Sequence, residues 1–216
     1  MLPTGGMLYD ERATEVENSV LRFLMGVVVG VLLVPVGVLT WFQFGHVPVA
    51  VADPPLPDEH AFTSVPLQSR IHREMIGTPP IQPDEASLVA GARIYSDQCA
   101  VCHGYYGKPA NIAGNIFPSA PPLWQKHPNS DVVGVSDDPP GETFWKVSNG
   151  IRLSGMPSYK HLLSETQMWQ VSLLLANADK PLPPDALSTL RGNTTTPPNT
   201  PAATPPAANP GPGGPQ

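Results

Sequence analysis

Two thiols three positions apart, with an imidazole directly after the second, make Cys99-Ala-Val-Cys102-His103 the most chemically loaded stretch of this chain. That spacing is what covalent attachment of a c-type haem requires. Each thiol adds across one vinyl group of the porphyrin, and the adjacent histidine then lies beneath the iron and binds it through a ring nitrogen. The chain has only 2 cysteines, both in this motif. No thiol is left for a structural disulfide or for the second half of a zinc site, which wants four ligands, usually in two pairs. A thioredoxin-like redox pair would follow a buried strand in a βαβ unit. Upstream, instead, residues 87–98 (SLVAGARIYSDQ) carry a helical pattern with no strand before it.

The position opposite the histidine decides whether such an iron relays electrons or binds small molecules. Ile151-Arg-Leu-Ser-Gly-Met156-Pro157 offers a methionine on a loop, behind a glycine that allows a tight approach. Pro157 removes a backbone donor and stiffens the loop, which helps to hold a weak thioether ligand. His/Met ligation leaves no open site and raises the reduction potential, as electron transfer demands. His127 and His161 are the rivals, and either would give bis-histidine iron at a lower potential. Met168, beside Trp169 in a helical pattern, reads as packing.

These groups need elements to position them. Asp84, Glu85 and Ser87 supply capping and dipole-favourable charge for a helix running into the cysteine motif. Its apolar side carries Leu88, Ala92 and Tyr95. Residues 104–140 are rich in Gly and Pro with no sustained period, and read as loop. Residues 140–150 (PGETFWKVSNG) form a short helix stopped at Asn149-Gly150. A final helix over 164–177 has Ser164 as cap, Gln167 as capping-box partner, and Met168, Val171, Leu174 and Leu175 on one face. The class expected is all-α, in a domain over 84–185 wrapped around one covalent haem. Its own apolar content would make a meagre core at this size, and a buried porphyrin supplies the missing surface.

Outside that domain the chain changes character. Residues 20–44 (VLRFLMGVVVGVLLVPVGVLTWFQF) are apolar with Arg22 the sole charge. As a helix they extend about 37 Å, enough for a bilayer core of ~30 Å. Pro35 is tolerable in a membrane helix, and Trp41, Phe42 and Phe44 fit an interfacial belt. A single transmembrane anchor is expected, after a short cytoplasmic segment at 1–19. A rival is a signal peptide cleaved after the Ala50-Val51-Ala52 triplet. The apolar run is long for that, and the preceding segment is acidic. Gly26 to Gly30 matches a GxxxG spacing, which glycine-rich membrane helices also reach by chance.

Residues 45–83 read as a Pro-rich linker with a short helix at 68–75, reaching about 3.1 Å per residue where extended. Residues 186–216 read as a disordered Pro/Thr/Ala-rich tail. From Gly192 onward it has 8 prolines and no aliphatic side chain larger than alanine. The formal net charge of −6, with no Lys/Arg run, leaves no nucleic-acid footprint.

The order helix, Cys-x-x-Cys-His, Pro-Pro-Leu, Asn-Gly, Gly-Met-Pro, helix resembles the class I monohaem cytochrome c domains, including those of membrane-anchored bacterial c-type cytochromes and respiratory-complex subunits. The resemblance covers about residues 84–182. It implies that the outer helices cross at Gly91, Tyr95 and Trp169. It implies too that the carbonyl of Pro121 or Pro122 accepts the imidazole N–H of His103, and that Leu123 and Trp124 line the haem. Asn149, Arg152 or Tyr159 would contact the propionates or the methionine loop.

The function expected is a membrane-tethered one-electron carrier with a single haem c. Cys99 and Cys102 hold the haem, and His103 and Met156 bind its iron. It would carry no substrate chemistry of its own. Redox partners would be a quinol-oxidising or dehydrogenase complex on one side and a terminal oxidase or soluble carrier on the other. Arg12 and Arg22 bias the N-terminus to the cytoplasm, and haem attachment puts the domain on the periplasmic side. Alternatives are a haem subunit of a larger oxidoreductase complex and, from a different class, a ligand-binding or peroxidase-like haem protein.

Overall fold

The computed structural model describes residues 7–192, with side chains from Glu17 onward. The tail from Asn193 and the first six residues lie outside the described residues. The chain divides into two compact units between Leu56 and Pro57. Among the described residues the protein is helical, and only two isolated antiparallel bridges, Tyr105 with Lys108 and Lys126 with Val133, interrupt that pattern.

The first unit is built on α1 (Met7–Phe44), 38 residues with Pro35 inside. Helix starts well before residue 20, so the short polar segment expected at 1–19 runs into the apolar stretch without a break. From Glu17 to Phe44 it runs for 28 residues at a mean hydropathy of 2.5, with none of that stretch buried. By length and composition it is able to cross a bilayer. Gly45 closes its end by donating to the Trp41 carbonyl at 2.7 Å, and Trp41 and Phe42 hold their rings 5.4 Å apart.

In the second unit α2 (Glu59–Glu74) occupies much of the segment read as linker. Only residues 68–75 were expected to be helical. The difference is tertiary: Ile71 is fully buried, and the Trp145 indole donates to Glu74 Oε2 at 3.0 Å. Arg70 lies 5.8 Å over the Trp145 ring and pairs with Glu74 at 2.9 Å. The Trp145 and Arg70 hydrogen bonds hold the Glu74 carboxyl below its ordinary range. Propensity and proline spacing cannot report such contacts.

The haem-motif region follows from α3 (Glu85–Ile94), capped by Asp84, whose carboxylate accepts from the Ser87 amide at 2.8 Å. A π turn over Tyr95–Cys99 then widens the helix before α4 (Ala100–His103). Such widened turns cluster at functional sites. An irregular stretch with one 3-10 turn (Ala113–Asn115) leads to α5 (Pro140–Asn149), α6 (Glu165–Leu175) and α7 (Pro184–Leu190). The α6 capping box is formed in both directions, Ser164 with Gln167. Gly91 sets the crossing of α3 over α6: a Cβ there would meet the Gln170 carbonyl oxygen, with the Gln170 carbonyl carbon at 2.9 Å and Leu174 Cβ at 3.1 Å. Trp169 is fully buried and stacks on Phe144 at 4.2 Å.

The tail expected from residue 186 begins too early. Ala186 and Leu190 are fully buried, and Pro184 opens α7 at a position where its missing N–H costs nothing. Tyr106 N donates to Leu190 O at 3.0 Å and Ser96 Oγ to Thr189 O at 3.3 Å, so α7 braces the segment around the cysteine motif. Leu88, Ala92, Tyr95, Leu123, Trp124, Met168, Val171, Leu174 and Leu190 share one core, against which Cys99 and Met156 pack half-buried.

Candidate functional site

The motif is a single turn of helix that the surrounding chain grips from both ends. Tyr95 is buried and donates its hydroxyl to Gly104 O at 2.7 Å, closing the segment that holds Cys99, Cys102 and His103. Burial pushes the Tyr95 hydroxyl far above its ordinary range. Burial, and then the neighbouring Cys102, push the Cys99 thiol up to about 12, so it stands as S–H. Among the described residues no group of three or more His, Cys, Asp and Glu side chains gathers as a metal site would need.

His103 Nδ1 lies 2.8 Å from the carbonyl oxygen of Pro121. A carbonyl only accepts, so Nδ1 carries the proton and Nε2 is left with its lone pair. Of the two prolines suggested by the resemblance, Pro121 makes this bond. Burial holds the imidazole below its ordinary range, and the Pro121 hydrogen bond offsets part of that shift. The ring is therefore neutral at pH 7, the form that binds a metal.

Met156 comes from a loop tied to the end of α5. Gly150 caps that helix at φ 67, and a Cβ there would lie 2.7 Å from Ser158 N and 2.9 Å from Met156 O. Only glycine takes both the conformation and the contact without strain. Ile151 N donates to Met156 O at 3.2 Å, Ser158 Oγ to Ser148 O at 2.6 Å, and Tyr159 N to Val147 O at 3.0 Å. Inside the loop the Ser154 hydroxyl bonds to Ile151 O at 2.7 Å and accepts from Met156 N at 3.2 Å. Leu153 sits at φ 61 with 84% of its surface exposed.

The rivals for the second ligand are elsewhere in character. His127 is exposed on a polar turn with Lys126, Asn129, Ser130 and Asp131, lining an open depression. His161 is exposed as well. Met168 is buried in α6 and packs, as expected. Asn149 gives its side-chain N–H to Trp145 O at 2.9 Å, within its own helix. Tyr159 is the residue whose role sequence reasoning did not fix: its hydroxyl reaches back to Gln98 O at 2.9 Å, beside Cys99. Burial, then Cys99 and Cys102, push that hydroxyl up.

This donor set fits an iron porphyrin. Two S–H groups lie one turn apart, a neutral imidazole presents Nε2, and a thioether packs on the same core as Cys99. Val101, Ile112 and Phe117 are exposed apolar residues on the motif and the loop after it. Trp124 Nε1 is buried and makes no hydrogen bond, although Tyr95 meets its ring edge-on at 5.5 Å.

Residues 86–173 match the family model described as cytochrome c oxidase, cbb3-type, subunit III. The thiosulfate dehydrogenase of Stutzerimonas stutzeri (strain A1501) is 30% identical over 98 residues, covering 45% of this chain and 29% of that protein. The chain thus spans less than a third of that relative's length. No solved structure matches. These matches support a monohaem cytochrome c domain for the helical unit around Cys99 and His103, a type of module whose chemistry is haem-based electron transfer.

Proposed function

We propose that this cytochrome c domain carries one haem c, held by Cys99 and Cys102 and ligated by His103 and Met156, and serves as a membrane-tethered one-electron carrier. The observation that carries the reading is the bond from His103 Nδ1 to Pro121 O, which leaves Nε2 as the one ring nitrogen able to bind iron. Haem supplies a metal that cycles between Fe(III) and Fe(II). The chain's residues do the rest. Each cysteine S–H adds across a vinyl double bond, sulfur to one carbon and hydrogen to the other. Pro121 fixes the imidazole plane, and a hydrogen bond to the second ring nitrogen raises the basicity of the first. The Gly150 cap and the Ser158 and Tyr159 bonds shape the loop that carries Met156, whose thioether would serve as the second ligand and would then leave the iron no open position for small molecules.

Substituting Met156→Ala tests the ligand set. The expected result is loss of the thioether–iron charge-transfer band and a midpoint potential lower by on the order of 0.1 V, inside the roughly 0.8 V that axial ligands span. The reduced variant should also bind CO, which the parent should not. An unchanged spectrum and potential would remove Met156 from the site.

Tethering rests on α1, with the N-terminus in the cytoplasm and the haem domain periplasmic. A fixed tether raises the effective concentration for a membrane partner. Electrons would come from a quinol-oxidising or dehydrogenase complex and leave to a terminal oxidase or soluble carrier. The match to an oxidase-subunit model favours a second reading, in which the chain is the haem subunit of a larger oxidoreductase complex. The mature N-terminus decides between anchor and leader: Edman or mass-spectrometric sequencing should find residues preceding Val20, and a start at Asp53 would abolish the tether.

A further inference from the structure

We propose that Tyr159 is a positioning residue that straps the methionine loop to the haem-motif segment through its hydroxyl. The proposal rests on Met156 being an iron ligand. Pro157, Ser158, Lys160 and His161 around it are exposed, yet Tyr159 is 9% exposed, so its side chain turns inward from a solvated loop. The hydroxyl donates to Gln98 O, 61 residues earlier in the chain and next to Cys99. Its main chain is engaged as well. Tyr159 N donates to Val147 O near the end of α5, and Tyr159 O accepts from Leu162 N and Leu163 N, both at 2.9 Å. That last turn leads directly into Ser164, the cap of α6.

The remaining bonds of the loop do a different job. Those from Ile151, Ser154, Met156 and Ser158 run within the loop or to α5, and they set its shape. None of them fixes its distance from the thiols. Among the described residues the Tyr159 hydroxyl makes the one hydrogen bond between residues 151–163 and residues 95–104. A neutral thioether binds iron weakly and stays bound only while the chain holds it in range. An external ligand displaces it by opening the loop, and opening breaks the Tyr159–Gln98 bond. A hydrogen bond of ordinary strength corresponds to about a fivefold change in an equilibrium constant.

The test uses the full-length holoprotein in detergent and Tyr159→Phe, which keeps the buried ring and removes the hydroxyl. Imidazole is titrated into the ferric protein while the thioether–iron charge-transfer band is followed. Tyr159→Phe should bind imidazole about fivefold more tightly, and the amides of residues 154–156, 158 and 159 should exchange about fivefold faster. Ser188→Ala, which removes an exposed hydroxyl bond local to α7 and away from the methionine loop, should leave the imidazole affinity near that of the parent. Equal effects of the two substitutions, or a Tyr159→Phe protein that titrates and exchanges like the parent, would overturn the strap. A Tyr159→Phe chain that fails to load haem would assign the hydroxyl to folding rather than positioning. Met156→Ala separates the two readings. If it keeps the band, the ligand assignment and the strap fall together. If it loses the band while Tyr159→Phe is silent, the strap alone fails.

Discussion

Replacing both Cys99 and Cys102 by alanine is expected to leave a polypeptide from which acidified organic solvent extracts all the haem, where the parent should retain all of it. Alanine is the informative choice because Cys99 packs half-buried against the apolar core, and a serine hydroxyl there would add its own desolvation cost. His103 and Met156 remain in the double variant, so haem that binds at all is held by coordination alone and competes with its own loss to solvent. The second consequence is on stability. The unit from Pro57 relies on short helices, and the irregular stretch between α4 and α5 has little regular structure to hold it. A domain of that size buries a smaller fraction of its surface than a larger one does. The double variant should therefore accumulate poorly and melt well below the parent. Haem-dependent peroxidase staining of a denaturing gel reads the covalent bond directly, and a stained band from C99A/C102A would refute thioether attachment at these positions. Single variants, each keeping one thioether, should fall between.

How far the sequence reached depends on how local the cause was. The cysteine–histidine motif was legible because one helical turn contains all three groups. Caps were legible for the same reason: Asp84 bonds three residues ahead, Ser164 and Gln167 answer each other, and Gly150 ends α5 where a left-handed residue is required. Elements secured by distant partners were not. Helix α2 carries Pro66 and follows a run of prolines, so composition reads linker, while Ile71 burial and the Glu74–Trp145 bond across 71 residues make it part of the domain. Helix α7 was lost into the tail because Pro183-Pro184 looks like the start of low complexity, although Ala186 and Leu190 complete the core. The π turn at Tyr95–Cys99 has no signature in a helical hydrophobic pattern. The site divides the same way. The proposal of His103 and Met156 as ligands rests on their neighbours in sequence. The choice of Pro121 over Pro122, and the reach of Tyr159 to Gln98, depend on how the loops fold back.

Introducing a side chain at Gly91 should damage both stability and the haem environment, and Gly91→Val should do so most. The Cβ alone would press on the backbone carbonyl of Gln170, with Leu174 Cβ 3.1 Å away. Neither neighbour can swing aside, because one is helix backbone and the other a fully buried core residue. The helices must separate, which costs about 1–3 kcal/mol for overpacking in a well-packed core. For a domain of this size, between the roughly 100- and 150-residue cases, each kcal/mol lowers Tm by about 3–6 °C, so a fall of roughly 3–18 °C is expected in the holoprotein, read by circular dichroism. The damage travels toward the iron for a geometric reason. Helix α3 runs on through the π turn into Cys99, and α6 begins at Ser164, just after the Tyr159 turn that closes the methionine loop. Prising α3 from α6 therefore pulls on the segments that carry His103 and Met156. A weakened thioether–iron band should accompany the lower Tm. A Gly91→Val protein that melts within about 2 °C of the parent would mean the crossing is looser than these contacts require. One that melts early but keeps the band intact would mean that α3 and α6 hold the core without holding the ligands.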